Sequence, residues 1–371
     1  MKGSLDKLLK LAEERGLDVI IISGIDNIEY FLDVTTAADS PMLLVYERRE
    51  NTISLYLPLL EYYRYRALLP EYISLHALSK TLKPPDIPVL AVEWKDVIFT
   101  ITSKWQKIGV DFSHSSPLQA LLLESLGGKA VNISSDIWNM RSIKMDNEIA
   151  AIRKAISITS AGILSVQASI VDNITESYLA GIFEYTVRSR GVEKLAFDPI
   201  VAFKPNNAYP HTLPSSKVIG KKDLVLVDVG VKYRGRCSDL TRMIIKGKPS
   251  REEKRSLEAV VEALERAIDT ITPGITAKEV YETACKVLEK RGLKERFIHG
   301  LGHGVGVVVH EPPYLRAEST TTLEPNMVVT IEPGVYFNGL YGVRVEDIVV
   351  ITKRNARVLS EKLDRVLEAF T

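Results

Sequence analysis

Two periods of apolar residues run along this chain, and they divide it. Residues 1–18 place apolar positions at helical spacing, and Asp18–Ser23 is an apolar run short enough for a strand. Pro41–Tyr46, Thr52–Leu57, Val89–Val92 and Ile108–Phe112 read as further strands, with a helix between Glu61 and Leu69. This alternation is the pattern of an α/β sheet. It lapses over residues 132–146, which predicts a linker, and Asp146 is then placed to cap a long helix. Ile149, Ile152, Ile156, Ile163, Val166 and Ile170 keep one face of that helix apolar. Further helices are expected near 175–189, 252–270 and 276–291, with a charged one from Ser360 to Phe370 closing the chain. The division predicts an N-terminal α/β domain over 1–138 and a second domain over 139–371.

Within the second domain a single stretch breaks the apolar rule. Leu224–Thr241 reads as a hairpin turning near Tyr233–Gly235, yet Asp228 sits inside its first apolar run and Asp239 in its return. A carboxylate there needs a partner or a metal. The pattern recurs 104 residues on: Val227-Asp228-Val229-Gly230-Val231 is echoed by Ile331-Glu332-Pro333-Gly334-Val335, and Glu346 follows as Asp239 does. The helices repeat too, Ile174-Thr175 matching Ile275-Thr276 and Arg190-Gly191 matching Arg291-Gly292. Such an internal duplication predicts two α/β halves about a pseudo-twofold axis, with four carboxylates converging on it. Four negative charges balance two divalent cations.

Composition narrows the chemistry. At 371 residues the chain can bury two cores, and a net charge of +1 gives no nucleic-acid footprint. No apolar run suggests a membrane span, the N-terminus lacks a signal peptide's apolar core, and the two cysteines, Cys237 and Cys285, form no secreted framework. A cytoplasmic protein is expected. Four of the six histidines lie between positions 211 and 310, among the acids. His303, flanked by Gly302, Gly304 and Gly306, is the best imidazole ligand. His310 is seven residues on, so a bend or bulge among those glycines is needed to bring both to one site. His76 and His114, in the N-terminal domain, have no spaced partners. Four carboxylates and an imidazole suit manganese, cobalt or iron better than the usual zinc set, though zinc is compatible. Two such ions can share a water and lower its pKa, which is a hydrolase site. No Glu-x-x-His pair supports a di-iron bundle, and the 300–306 glycine run matches no phosphate loop.

These residues resemble a known family. GHGVGxxxHExP at Gly302–Pro313, IEPG at 331–334, GVRVED at 342–347 and the Asp-x10-Asp spacing are similar to the pita-bread metallopeptidases. That group holds Xaa-Pro dipeptidases (prolidases), Xaa-Pro aminopeptidases, methionine aminopeptidases and creatinases. The likeness is close over roughly 140–352, and the N-terminal α/β domain resembles that of the proline-specific and creatinase members. It implies an α/β (α+β) fold with a C-terminal pita-bread domain, and an N-terminal domain serving access control and dimerisation. It implies that Asp228, Asp239, His303, Glu332 and Glu346 hold two metals, manganese or cobalt first, with Asp239 and Glu346 bridging. Glu332 would also be general base toward a metal-bridging hydroxide, His310 would stabilise the tetrahedral intermediate, and His211 would contact substrate. Arg344 matches a supporting position, with a structural salt bridge as the alternative.

The expected activity is dinuclear metal-dependent hydrolysis of Xaa-Pro bonds in dipeptides, by a cytoplasmic homodimer without nucleic-acid or membrane partners. Alternatives are an Xaa-Pro aminopeptidase on longer peptides, a hydrolase of non-peptide amides or esters, and a non-catalytic peptide-binding module on the same fold. Two departures stand out. Lys204 occupies a position where the family often has glycine, which is expected to alter the pocket rim. Tyr314 stands closest to the position of a carboxylate-gripping arginine, and Arg316, two residues beyond, is the candidate for that grip.

Overall fold

The computed structural model describes residues 2–36, 40–114 and 116–369, in two compact units, Met1–Arg141 and Ser142–Thr371. Met1 and Phe370, at the ends of two expected helices, lie outside the described residues.

The first unit is a seven-stranded sheet with helices between its strands. Its spatial order is Val89–Leu90, Ile73–Leu78, Thr52–Pro58, Leu43–Glu47, Val19–Ile22, Ile108–Val110, Ala130–Asn132. Leu43–Glu47 runs antiparallel to both neighbours and every other pairing is parallel. All four residues of Val19–Ile22 are buried, as a strand covered on both faces requires. The expected linker is largely ordered instead: Ser134–Ser142 is a helix. Its pattern is faint because one of its two deeply buried residues, four apart, is not apolar. Ile137 is buried beside Arg141, whose guanidinium donates to Asn27 Oδ1 at 2.8 Å. The histidines here also have partners. His114 lies 3.3 Å from Asp111, and His76 stacks on Tyr56 with ring centroids 4.6 Å apart. In the helix Tyr62–Leu68, Tyr65 is buried and Tyr63 is exposed.

The second unit is built twice. Each half opens with a helix pair, Asp146–Ala168 with Glu176–Arg188, then Arg251–Thr270 with Ala277–Lys290. Thr175 and Thr276 cap the second helix of each pair, each hydroxyl accepting from a backbone N–H at 3.2 Å. Both caps then bridge to a following strand-like segment, Thr175 to Val218 and Thr276 to Thr322. The long helix is capped by the Met145 backbone, with Glu148 returning a bond to Met145 N at 3.0 Å; Asp146 is its first residue rather than its cap. That helix is long and apolar enough to cross a membrane by composition, contrary to the sequence reading. Here Ile152, Ile156, Ile163 and Val166 are buried in the core of the first half.

The two sheets repeat as the helices do. One has the order Val366–Glu368, Leu240–Lys246, Asp223–Val229, Ile200–Ala202; the other Glu311–Leu315, Gly302–Gly304, Val328–Ile331, Asp347–Ile351, Ala356–Val358. Each has an antiparallel central pair, Val229 opposite Leu240 and Ile331 opposite Asp347. Beyond each pair the chain breaks register and forms a short hairpin, Val231–Tyr233 with Arg236–Cys237 and Gly334–Phe337 with Tyr341–Arg344. The first turns on Arg234 and Gly235, both at positive φ, the conformation a two-residue hairpin loop demands. Asp239, Glu332 and Glu346 fall at these breaks, and Asp228 is the next-to-last residue of the strand that leads into the first. Asp228 is therefore opposite Thr241, not the other carboxylate as the simple hairpin implied.

No helix forms over the described residues 360–369. Val366–Glu368 is a strand, parallel to Leu240–Lys246 with Met243 opposite Val366. The charges that suggested a helical surface serve this edge: Arg365 reaches Asp347 at 2.8 Å and Glu265 at 2.6 Å. An otherwise open sheet edge takes the segment instead.

Candidate metal centre

The breaks in the two hairpins face one pocket of about 470 Å³. Its wall includes Asp228, Asp239, Glu332, Glu346, His303, His310, His211, Arg316 and Arg344, all nine residues singled out from the sequence. Ligand atoms of Asp228, Asp239 and Glu346 lie within 4.8 Å of one another, as do those of His303, Glu332 and Glu346, and of Asp239, His303 and His310.

Glycines let His303 reach this point. A Cβ on Gly302 would lie 2.0 Å from the Thr330 carbonyl oxygen, and one on Gly304 would lie 2.3 Å from that of Pro312. Only bare backbone fits between these neighbours. His303 Nδ1 is 3.1 Å from the Gly304 carbonyl, which can only accept, so Nδ1 carries the proton. Nε2 is left to face the acids, 3.2 Å from Glu332 Oε1 and 3.6 Å from Asp239 Oδ2. The bend expected between His303 and His310 is a full reversal: Gly304 pairs with Glu311, and the two imidazoles meet edge to face at 4.3 Å. A buried ion pair, Lys144 to Glu311 at 2.7 Å, anchors the returning strand. His211 and His310 are exposed on the pocket wall.

The acids are satisfied unequally. Asp228 Oδ2 accepts from Arg344, and Glu346 Oε2 accepts from Thr241 Oγ1 at 2.9 Å. Asp228 Oδ1, Asp239 Oδ1 and Glu346 Oε1 are buried with no hydrogen-bond partner. Burial, and then the neighbouring carboxylates, push Asp239 and Glu346 well above the usual carboxylate range. Burial acts the same way on Glu332, but the His303 hydrogen bond and charge, with His299 and Arg344, outweigh it and bring Glu332 down to about 2. Burial opposes the charged form of His303, and Glu332 reverses that and raises it. His310 is lowered, by burial and by His303. Three bare buried oxygens among four crowded carboxylates are what a site for divalent cations presents, and oxygen donors with one imidazole fit manganese, cobalt, iron or zinc.

Arg344 is a structural hub rather than an open binding group. It is buried, and beyond Asp228 it donates to Tyr336 Oη at 2.7 Å and to Thr241 Oγ1 at 3.3 Å. Tyr336 in turn meets His299 Nε2 at 3.0 Å, extending the chain to a second, half-buried imidazole. Sequence reasoning missed His299 and Tyr336. The available signal was that His299 opens the same glycine run as His303, four residues earlier. Arg316 is exposed, its guanidinium 5.4 Å from the Tyr314 ring centroid, and only a 4.0 Å approach to Glu318 engages it. Lys204 does not shape the rim. It is absent from the described pocket wall, and its ammonium pairs with Glu253 at 2.7 Å.

Comparison with known proteins follows the same lines. Residues 150–353 match metallopeptidase family M24, and residues 5–143 match the creatinase/prolidase N-terminal domain. The chain is 33% identical over 365 residues to the Xaa-Pro dipeptidase of Pyrococcus furiosus, covering 97% of this chain and 98% of that one. Among solved structures it resembles the prolidase from Pyrococcus horikoshii OT3 with a TM-score of 0.85 at 31% identity, covering 98% and 99% of the two chains. It also resembles the X-Pro aminopeptidase from Thermotoga maritima MSB8, with a TM-score of 0.86 at 30% identity and the same coverage.

Proposed function

The chain belongs to metallopeptidase family M24, and from that premise we propose that it hydrolyses Xaa-Pro bonds, in dipeptides first. The observation that carries the reading is the convergence of four carboxylates, three with a bare buried oxygen, at the floor of an open pocket. Asp228, Asp239, His303, Glu332 and Glu346 would hold two divalent ions, manganese or cobalt in preference to zinc or iron. Asp239 and Glu346, the acids most in need of cations, would serve both. Bound ions supply Lewis acidity toward a carbonyl oxygen and lower the pKa of water.

The chain's own residues do the rest. Glu332, which lines the pocket and is held in its ionised form by His303, would accept a proton from water. His310, on the pocket wall beside His303, would stabilise a developing oxyanion, and His211, which lines the same pocket, would contact substrate. Arg344 positions Asp228 and Tyr336 rather than touching substrate. Arg316, exposed on the wall and weakly engaged, is free to take a dipeptide's carboxylate through paired hydrogen bonds. Proline gives the activity its purpose, because an Xaa-Pro bond is a tertiary amide without the N–H that general peptidases use.

The same reading assigns residues 1–138 to access control and dimerisation and 139–371 to catalysis. Exposed Leu60, Tyr63 and Leu68 on the N-terminal unit support a homodimer. Buried, unbridged Cys237 and Cys285 support a cytoplasmic setting.

Product analysis tests the proposal. Metal-stripped protein is given Mn²⁺ or Co²⁺ and offered an Xaa-Pro dipeptide or an Xaa-Pro-Yaa tripeptide. The expected result is metal-dependent release of free Xaa, faster from the dipeptide, where proline is the other product, than from the tripeptide, where Pro-Yaa is. Faster cleavage of the tripeptide would make it an aminopeptidase, and no cleavage of either would remove the Xaa-Pro assignment.

A further inference from the structure

Two charged residues on the pocket wall stand outside the acid cage and its histidines and Arg344: Arg316 and Asp198. Their placement follows from the duplication. Asp198 lies two residues before the strand Ile200–Ala202, and Gly300 lies two before Gly302–Gly304. Those strands are equivalent, each flanking the central pair of its own sheet, on Asp223–Val229 and on Val328–Ile331. Gly300 packs against Arg316, since a Cβ there would come within 3.7 Å of the Arg316 Cβ. Asp198 therefore holds, in the first half, the place beside which Arg316 stands in the second. An acid from the first half and a base from the second thus line one pocket with the acid cage.

Asp198 has apolar company. Phe197, Ile200 and Leu213 line the same wall, Leu213 being 71% exposed. Asp198 itself is exposed and makes no salt bridge among the described residues. An apolar surface ending in an unpaired carboxylate suits a side chain with an aliphatic stem and a cationic tip, and an aromatic ring beside it adds to that attraction. With Arg316, from the second half, taking the carboxylate end of a short peptide, the first half's part of the lining is left for the residue before the scissile bond.

We infer that Phe197, Asp198, Ile200 and Leu213 form a subsite selecting a lysine or arginine side chain at the Xaa position, with Asp198 binding the cation. This rests on the Xaa-Pro reading above.

The test is kcat/KM for Lys-Pro, Met-Pro and Glu-Pro, with the Mn²⁺-loaded full-length enzyme, Asp198→Asn and Asp198→Lys at matched metal content. The wild type should favour Lys-Pro over Glu-Pro. The Lys-Pro to Met-Pro ratio should fall roughly three- to tenfold in Asp198→Asn, a range suited to a partly exposed charge pair. Asp198→Lys should turn the preference toward Glu-Pro, and added salt should shrink each difference. Ratios that stay the same in all three proteins would overturn this inference and leave the Xaa-Pro reading standing. A wild type that cleaves none of the three would overturn both.

Discussion

The two halves of the second unit share a scaffold but load it differently. Each supplies two acids at or next to the break beyond its central strand pair, and each sends a buried arginine across to the other half. Arg242, from the first, reaches Asp347 at 2.8 Å and the Glu346 carbonyl. Arg344, from the second, reaches Asp228. The first clasp holds backbone and an acid outside the cage, and the second holds an acid within it. The histidines are just as lopsided, His299, His303 and His310 coming from the second half and His211 alone from the first. Duplication thus built the cage, and divergence of one half equipped it. Within each half, environment separates the acids further: Asp228 and Glu332 have a close cationic or imidazole partner, while among the described residues Asp239 has only His303 Nε2 at 3.6 Å and the Glu346 carboxylate only a hydroxyl.

The largest effect should come from the acids left wanting. Asp239→Asn or Glu346→Gln removes a charge that the proposed site needs for both ions, so turnover should be abolished and bound Mn²⁺ should fall. Activity assays and metal analysis of the purified variants measure this. Either variant retaining full metal content and normal turnover would end the idea that these two acids serve both ions.

The two arginines give the next contrast. Arg344→Met frees Asp228 to swing, and loss of such a supporting group typically costs about 10–100-fold in metal affinity or activity. Arg242→Met should instead be felt in folding. Breaking a buried ion pair costs about 3–5 kcal/mol, softened here because Asp347 keeps Arg365 and Ser360. Urea melts and metal titrations on both variants separate the two losses. Equal patterns in the two would erase the distinction between a clasp for the fold and a clasp for the site.

How far the sequence revealed this depends on which residues carried a pattern. The cage was legible because carboxylates inside apolar runs are costly, and because the cost appears twice at one offset. The helical caps Thr175 and Thr276 were legible through the same repeat. Ser134–Ser142 was not, since its inward face includes Arg141, and Val366–Glu368 was not, since three residues on a sheet edge show no period. Tyr336 and His299 stayed hidden because their role is relational. Tyr336 matters only once the second hairpin folds it between Arg344 and His299, and no spacing in the chain states that meeting.

The smallest effect concerns protons in the metal-free protein. Asp239 and Glu346 bind protons more tightly folded than unfolded, and so does His303. Wherever the native state holds more protons, stability falls as pH rises. For the two acids this loss begins above the ordinary carboxylate range and continues through their raised values; for His303 it begins near its ordinary value of 6.5. Glu332, held down at about 2, works in the opposite direction, but its contribution is complete before neutral pH, and His76, His299 and His310, lowered chiefly by burial, oppose the trend only up to their ordinary value of 6.5. Metal-free protein should therefore melt at a lower temperature at pH 8 than at pH 5.5. Each tenfold difference in proton affinity is worth about 1.4 kcal/mol, or roughly 2–4 °C on a domain of this size. Saturating Mn²⁺ should reverse the trend, because ions compete with those protons and bind better as pH rises. Calorimetric melts at both pH values, with and without Mn²⁺, test the sign. A metal-free melting temperature that climbs between pH 5.5 and 8 would mean the carboxylates are not crowded as described, and the contrast between partnered and unpartnered acids would lose its physical basis.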